Sequence, residues 1–380
     1  MITFIALSGF LGAGKTTTMV AAAHLLERQG KRVAVVTNDQ GTDLVDTKVV
    51  RSSLDAVAQV TGGCFCCRFE DLVHVVEQLI TDGNVDVVIA EAVGSCTDLQ
   101  ATVVRPLRKF YADQFVVAPL ATVVDPLRWR AFARAAQRGE PESDLSYLFG
   151  RQLREADVLA INKTDLVGPA ETETVVASLR AQNPDAVIVP YSAKSGTGLT
   201  DLIEAWSGQA RWSGDLDVDY DRYAAAEAQL AWLNQQVTVA ATNGGFSPSR
   251  WATAVLTHLA ATAADADVEI GHAKLTVDSG GRLTKMSVTG NGTTPSVDFA
   301  VDEPTTQAVA TVNARVACEP AVLDEAVRQA IAHADALTGA TSQAADTQSF
   351  KPGYPTPIHR ISATTMEEGA ASQKVASPQP

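Results

Sequence analysis

The most constraining feature of this sequence lies near its start, where a glycine-rich motif follows an apolar run. Gly9–Thr16 (GFLGAGKT) fits the pattern G-x-x-x-x-G-K-[ST], Ile2–Leu7 before it predicts a strand, and Lys15–Gln29 predicts a helix. This context indicates a P-loop, in which backbone N–H groups surround phosphate oxygens. Lys15 would neutralise the β- and γ-phosphates, and the Thr16 hydroxyl would ligate Mg²⁺. The predicted phosphate-binding residues are Gly12, Ala13, Gly14, Lys15, Thr16 and Thr17.

The region up to about residue 207 alternates short Val- and Ile-rich runs with longer helical patterns. This alternation predicts an α/β fold with a doubly wound, mostly parallel sheet. The predicted strands are Ile2–Leu7, Arg32–Thr37, Val85–Ala90, Gln114–Val124, Asp157–Ile161 and Ala186–Pro190. The predicted helices are Lys15–Gln29, Phe69–Thr81, Leu145–Glu155, Ala170–Ala181 and Leu199–Trp206.

The rest of the chain predicts a linker, a second domain and a tail. Residues 208–222 are turn-rich and carry alternating aspartates, which favours an acidic, solvated linker over a cation site. Residues 223–338 mix helices and strands, including a hairpin signal at Ser279-Gly280-Gly281, and predict a smaller α+β domain. Residues 339–380 are rich in Ala, Ser, Thr, Gln and Pro, which predicts a disordered tail. Within it, Phe350–Ile361 is either an extended docking segment or a proline-stiffened tail.

Composition excludes several classes of partner. The chain has 380 residues, 46% of them hydrophobic, with 30 Lys and Arg against 44 Asp and Glu, for a net charge of −14. This acidity argues against general nucleic-acid binding and against docking on an anionic membrane. No run approaches the roughly 20 apolar residues of a membrane span. We interpret the N-terminus as the first strand and not as a signal peptide, and we therefore expect a cytoplasmic protein.

A second motif indicates which base the nucleotide carries. Asn162-Lys163-Thr164-Asp165 follows the strand Asp157–Ile161 directly. The Asp165 carboxylate can accept both the N1–H and the exocyclic N2–H₂ of guanine, whereas adenine lacks this donor pattern. Further along lies Ser192-Ala193-Lys194, whose backbone N–H groups could reach guanine O6. The predicted nucleotide is therefore GTP, read by Asn162, Lys163, Asp165, Ser192, Ala193 and Lys194.

Two acidic positions are candidates for the hydrolysis step. Glu91 ends an apolar strand, with Gly94 following in the pattern Glu-x-x-Gly. Glu91 would hold Mg²⁺ through a water, and the Gly94 N–H would touch the γ-phosphate. Asp39 and Asp43 follow the second strand and could position the attacking water or lend a carboxylate to the metal, although a simple turn explains them equally well. The predicted catalytic residues are Lys15, Asp39 and Glu91.

Three of the five cysteines are clustered at Cys64, Cys66 and Cys67. Three closely spaced thiolates can bind Zn²⁺ or a related transition metal and leave one coordination position open, which suits transfer. The alternatives are a redox thiol pair or small buried hydrophobic residues. Cys96 is either a fourth ligand or, as we favour, a buried thiol, and Cys318 is expected in a core.

Together these motifs resemble the CobW-type P-loop GTPases, a family of metallochaperones and metalloenzyme-maturation factors. The resemblance rests on Gly9–Thr17, Gly63–Cys67, Glu91-x-x-Gly94 and Asn162–Asp165, and covers about residues 1–207. It implies that the three cysteines bind Zn²⁺ or a related cation and that GTP hydrolysis gates its release. Two features depart from the family: the interdomain stretch has no histidines, and Asn38-Asp39-Gln40-Gly41-Thr42 lacks the second acid of the family's switch.

The resulting expectation is a slow, Mg²⁺-dependent GTPase that delivers a metal or metal cofactor to a client metalloprotein. The second domain and tail would recognise the client, and a homodimer is possible. The alternative is a GTP-dependent regulatory switch or assembly chaperone without metal transfer. A P-loop kinase or ligase is disfavoured because Asn162–Asp165 argues against ATP as the donor.

Overall fold

A computed structural model describes residues 1–39, 45–83, 85–210, 214–291 and 293–366. The chain divides into two compact units. The first contains the described residues within 1–40, 53–223 and 355–380, and the second those within 41–52 and 224–354.

The first unit is built on an eight-stranded sheet whose pairs are all parallel, in the order β3-β2-β4-β1-β6-β7-β8, with β5 also paired to β1. This confirms the predicted doubly wound α/β fold. The carboxyl ends of β1, β4 and β7 share one edge of the sheet, which is where ligands bind in such folds. The strands are β1 Ile2–Gly9, β2 Val33–Asn38, β3 Val57–Val60, β4 Val87–Glu91, β5 Phe115–Val117, β6 Ala121–Val124, β7 Val158–Ile161 and β8 Val187–Pro190.

The helices of this unit follow the strands. Local capping explains where several begin: Asp125 accepts the Leu127 N–H at 2.8 Å, and Pro126 occupies the first turn. A π-helical turn at Gln100–Val104 continues into α4. The helices are α1 Lys15–Arg28, α3 Phe69–Gly83, α4 Arg105–Phe110, α5 Pro126–Gln137, α6 Asp144–Arg154, α7 Pro169–Gln182 and α8 Leu199–Trp206.

The second unit contains a six-stranded antiparallel sheet in the order β12-β11-β10-β13-β9-β14. Two helices pack on one face and bury alternate residues of β13, such as Ala310, Val312 and Ala314. The hairpin turn falls at the predicted glycines, with Asp278 paired to Leu283. The elements are β9 Ala231–Ala241, α10 Pro248–Asp265, β10 Ile270–Asp278, β11 Leu283–Val288, β12 Ser296–Phe299, β13 Gln307–Val316, α11 Pro320–Thr338 and β14 Ala340–Phe350.

A helix from far upstream covers the opposite face of this second sheet. Helix α2, Val45–Arg51, belongs to the second unit. The Val45 N–H donates to Asn313 Oδ1 at 2.7 Å, and Lys48 Nζ donates to Thr311 Oγ1 at 2.6 Å. The sheet is therefore covered on both faces, and the predicted domain boundaries miss this segment of the chain.

The predicted disordered tail is wrong for residues 340–366. Strand β14 pairs with β9 from Ala340 opposite Ala241 to Phe350 opposite Trp232. Its polar side chains are mostly exposed, so backbone hydrogen bonds, which composition does not reveal, hold it at the sheet edge. Residues 355–366 return to the first unit. Residues 367–380 lie outside the described part of the chain.

The acidic linker is also more ordered than predicted. Asp215 pairs with Arg105 at 2.5 Å. Asp219 accepts N–H bonds from Asp221 and Arg222 at the start of α9, Tyr220–Gln229. These carboxylates therefore neutralise a cation and cap a helix.

Candidate functional site

The P-loop joins β1 to α1 and is packed so closely that two of its glycines are required. A Cβ on Gly9, whose φ is +137°, would lie 2.4 Å from the Val123 carbonyl oxygen. A Cβ on Gly14, whose φ is +96°, would lie 2.4 Å from Asn162 Nδ2. The loop is thereby fixed between β6 and the Asn162 segment, with α1 beginning at Lys15.

The polar side chains predicted for phosphate and magnesium lie together at this loop. Lys15 Nζ donates to the Gly9 carbonyl at 2.7 Å, so its ammonium lies over the loop that would hold the phosphates. The Thr16 hydroxyl donates to Glu91 Oε2 at 2.8 Å, and both groups are buried. A hydroxyl beside a carboxylate is an oxygen pair suited to Mg²⁺, so these residues fit the predicted ion. Thr17 follows in the first turn of α1.

The Glu-x-x-Gly segment runs against the P-loop. A Cβ on Gly94 would lie 2.7 Å from Leu11 Cδ2 and 2.9 Å from the Leu11 backbone nitrogen. Gln152 fixes the segment from behind by donating to the Gly94 carbonyl at 3.0 Å and the Cys96 carbonyl at 2.8 Å. Gly94 thus lies against the P-loop, and its contact with the γ-phosphate stays a prediction.

The two segments predicted to read the base meet each other and the P-loop. Asn162 donates to the Ala13 carbonyl at 3.0 Å and accepts the Ala193 N–H at 3.0 Å. Asp165 Oδ1 accepts the Ser192 hydroxyl at 2.7 Å, and Lys194 follows at the surface. Hydrogen bonds thus tie the P-loop, the Asn162–Asp165 segment and the segment after β8 into one site.

Lys163 occupies a constrained position in this site. Its φ is +60°, and Nζ donates to the Gly12 carbonyl and to Asp125 Oδ2, both at 2.7 Å. A left-handed backbone conformation is unfavourable for a residue other than glycine, so the surrounding contacts must stabilise it. Asp125 was not predicted as a site residue, although an aspartate ending a strand at this edge of the sheet was a usable signal.

The end of β2 organises the cysteine loop, residues 62–67. Asn38 donates through Nδ2 to the Val60 carbonyl at 3.1 Å and the Gly63 carbonyl at 2.8 Å, and Oδ1 accepts the Phe65 N–H at 3.0 Å. This role was not predicted. Asp39 donates its backbone N–H to the Val60 carbonyl at 3.2 Å, and its catalytic role stays a prediction. Asp43 lies outside the described residues.

The three clustered cysteines form a compact thiol group. Their sulfurs are 2.8 Å (Cys64 to Cys66), 3.4 Å (Cys64 to Cys67) and 3.8 Å (Cys66 to Cys67) apart. A tetrahedral zinc with bonds of about 2.3 Å holds its sulfurs roughly 3.8 Å apart, so a small opening of the group would admit it. Cys64 and Cys66 are buried, and Cys67 is half-buried. Within the described part of the chain, these cysteines are the one set of at least three His, Cys, Asp or Glu side chains whose ligand atoms lie close enough to bind a single ion.

Contacts within the group raise the pKa of two of these thiols, Cys66 and Cys67. The Cys66 pKa is well above its ordinary value, first because its thiol hydrogen-bonds to Cys64, then through Cys67, Cys96 and burial. The Cys67 pKa is also raised, chiefly by Cys64. Cys96, fully buried on the Glu-x-x-Gly segment, therefore contacts the group through Cys66 but lies outside the three mutually close sulfurs. Cys318 is half-buried against the core of the second unit.

Residues 3–190 match the family described as CobW/HypB/UreG, nucleotide-binding domain. The N-terminal part of this chain is a CobW-type P-loop GTPase domain. The CobW-type domain therefore covers the P-loop, the cysteine loop and the Asn162–Asp165 segment.

Curated relatives share this domain. The chain is 26% identical over 251 residues to zinc-regulated GTPase metalloprotein activator 1 of Dictyostelium discoideum, covering 55% of this chain and 51% of the relative. It is 27% identical to the zinc chaperone CobW of Pseudomonas aeruginosa, covering 52% and 58%. The chain thus spans about half the length of the curated relatives it matches.

Solved structures show a weaker likeness. HypB from Helicobacter pylori in complex with nickel aligns with a TM-score of 0.39 at 20% identity, covering 53% of this chain and 84% of that one. Because this score is low, the fold assignment rests on the strand order and the family match. No described helix has the length and apolar character needed to cross a bilayer.

Proposed function

We propose that this protein binds and hydrolyses GTP with Mg²⁺ and carries Zn²⁺ or a related transition metal on Cys64, Cys66 and Cys67 for transfer to a client metalloprotein. The observation that carries the proposal is the proximity of the two sites. Gly94 lies against the P-loop, and Cys96, two residues later, contacts Cys66. A change at the γ-phosphate would therefore reach the thiols through a very short segment.

Each group in the nucleotide site has a proposed role. Lys15 compensates phosphate charge, Thr16 and Glu91 hold Mg²⁺, and Gly94 reports the γ-phosphate. No glutamine or arginine that would orient the attacking water was recognised in the sequence, so intrinsic turnover should be slow. A cytoplasmic location and a homodimer belong to the same proposal.

The metal half is tested by titrating the protein with Zn²⁺, with and without a non-hydrolysable GTP analogue. Reciprocal linkage requires that the analogue change zinc affinity by the factor by which zinc changes analogue affinity. The triple variant Cys64→Ser, Cys66→Ser, Cys67→Ser should lose the site, whereas Cys318→Ser, in the second unit, should keep it. Unchanged zinc binding in the triple variant would favour the alternative, a regulatory switch or assembly chaperone without metal transfer.

The nucleotide half is tested by changing the base reader. Asp165→Asn replaces an acceptor by a donor, which suits the C2 carbonyl of xanthine in place of the guanine amino group. We expect GTP affinity to fall about 100-fold and XTP affinity to rise, because the substitution leaves the guanine N–H donors without their acceptor. Asp201→Asn, at an exposed position of α8, is the matched control. If Asp165→Asn binds GTP normally, the assigned base site is wrong.

A further inference from the structure

The segment that returns to the first unit, residues 355–363, lies along the cysteine loop, and we call it the strap. The Ile358 N–H donates to the Cys66 carbonyl at 2.9 Å, and the Thr356 N–H donates to the Cys67 thiol. The strap thus contacts two of the three predicted metal-binding residues through its backbone, as an added extended chain does.

Beyond the cysteines, the strap is held by side chains of the first unit. The His359 ring packs edge-on against Phe69 with centroids 5.1 Å apart and lies 5.2 Å from the Phe110 ring. His359 Nε2 is also 3.3 Å from Glu70. Farther along, the Ile361 N–H donates to the Ala101 carbonyl at 2.9 Å.

A buried carboxylate defines what this surface recognises. The Asp98 side chain is 1% exposed, and Arg360 of the strap donates to its Oδ2 at 2.7 Å. Burial raises the Asp98 pKa, and Arg360 opposes that rise. Without Arg360 the carboxylate would keep the Tyr220 hydroxyl bond and the nearby charge of Arg105 but would lose its ion-pair partner, which is costly for a buried group.

The strap is held by polar contacts together with limited apolar packing. Ile361 is buried, but the Ile358 side chain is 48% exposed and the Arg360 side chain 43% exposed. Ion pairs and a few backbone bonds hold a segment less tightly than extensive apolar burial, and local opening of such segments is correspondingly easy. These contacts suit an occupant that can be exchanged.

We propose that the surface around the cysteine loop is a docking surface for an extended segment bearing a cation, and that the strap is its internal, displaceable occupant. In the function proposed above, a client segment would take the strap's place, supplying its own backbone N–H groups to the loop and its own cation to Asp98. Metal exchange would then depend on strap displacement. The client segment in this inference rests on the proposed function. The contacts that hold the strap on the docking surface involve no metal and no nucleotide.

The test measures how fast a disulfide reagent modifies the thiols of the metal-free full-length chain. Arg360→Ala removes the cation, and Ile358→Pro removes one backbone donor at an exposed side chain. We expect each to accelerate modification of Cys67 by about tenfold, since a hydrogen bond to a charged group contributes roughly that factor or more. The matched control is Lys351→Ala, which removes an exposed ion pair with Glu319 just before the strap.

A second arm uses the zinc-loaded chain and a competing chelator. Zinc extraction should be faster in both strap variants than in the unmodified chain, because each variant loses a contact that holds the strap against the first unit. Thiol modification at the control rate in both strap variants would overturn the inference. Accelerated modification in a chain that binds no zinc would instead retain the docking surface and reject the metal function.

Discussion

At the scale of single residues, folding strongly changes the acidity of Glu155. It lies fully buried after α6 and accepts the Gln100 N–H at 3.1 Å and the Thr97 hydroxyl at 3.2 Å. Burial, and then the nearby Asp98 charge, raises the Glu155 pKa to about 8. The sequence offers no signal for this, because burial of one acid depends on how α6 packs against the Cys96–Gln100 segment.

This shift makes stability depend on pH. Between the ordinary pKa of 4.5 and the folded value of about 8, the folded state binds more protons than the unfolded state. The free energy of unfolding should therefore fall as pH rises through that window and level off above it. Glu155→Gln, which cannot ionise, should flatten this slope and add on the order of 2 kcal/mol at pH 8.5. Urea unfolding at pH 6 and pH 8.5 measures both effects.

The control for that experiment is Glu325→Gln, an exposed acid paired with Arg328 in α11. It should leave the slope of stability against pH unchanged. An equally steep slope in Glu155→Gln would show that other groups cause the dependence.

At the scale of elements, prediction succeeded where the pattern was local and failed where long-range contacts decide. The buried parallel strands and the P-loop were predictable because Val and Ile runs and glycine spacing are local signals. Predicted strand Gln114–Val124 is instead two strands, since Pro119 between them has no N–H for a ladder. Helix α2 was missed because Asn313, a residue far along the chain, accepts its first N–H.

The hydrogen bond between Val45 and Asn313 gives a testable prediction for helix α2. Asn313→Leu removes the acceptor of the Val45 N–H and also the amide that donates to Asn234 at 2.9 Å. Leaving buried polar groups without partners should lower the free energy of unfolding by about 1–3 kcal/mol. Gln307→Leu, an exposed position of the same strand β13, should change it little. Thermal unfolding, with proteolysis to detect release of α2, distinguishes the two.

At the scale of the whole molecule, the chain passes between its two units several times. The second unit takes α2 from within the first unit's sequence, and the first unit takes the strap from beyond β14. The residues of the candidate site that belong to recognisable sequence motifs could be predicted from the sequence. The strap could not, because a Pro-rich polar stretch is compatible with either order or disorder until its partners are known.

Separating the units at residue 224 should therefore weaken the second one. A fragment of residues 224–354 lacks α2, leaving Thr311 and Lys274 without the contacts that Lys48 and Asp46 supply. We expect its melting temperature to rise by about 5 °C when a peptide of residues 44–53 is added in excess. A scrambled peptide is the control. An unchanged melting temperature with the native peptide would mean that α2 adds little to this unit.

The pairing of Val45 with Asn313, 268 residues apart, also has a consequence for biosynthesis. At ribosomal rates of about 5–20 residues per second, α2 leaves the exit tunnel tens of seconds before the sheet it covers has been made. During that interval its apolar face has no native partner, and the P-loop unit must fold around a segment destined for another core. The nascent chain is therefore expected to need holding chaperones most between synthesis of α2 and completion of β13.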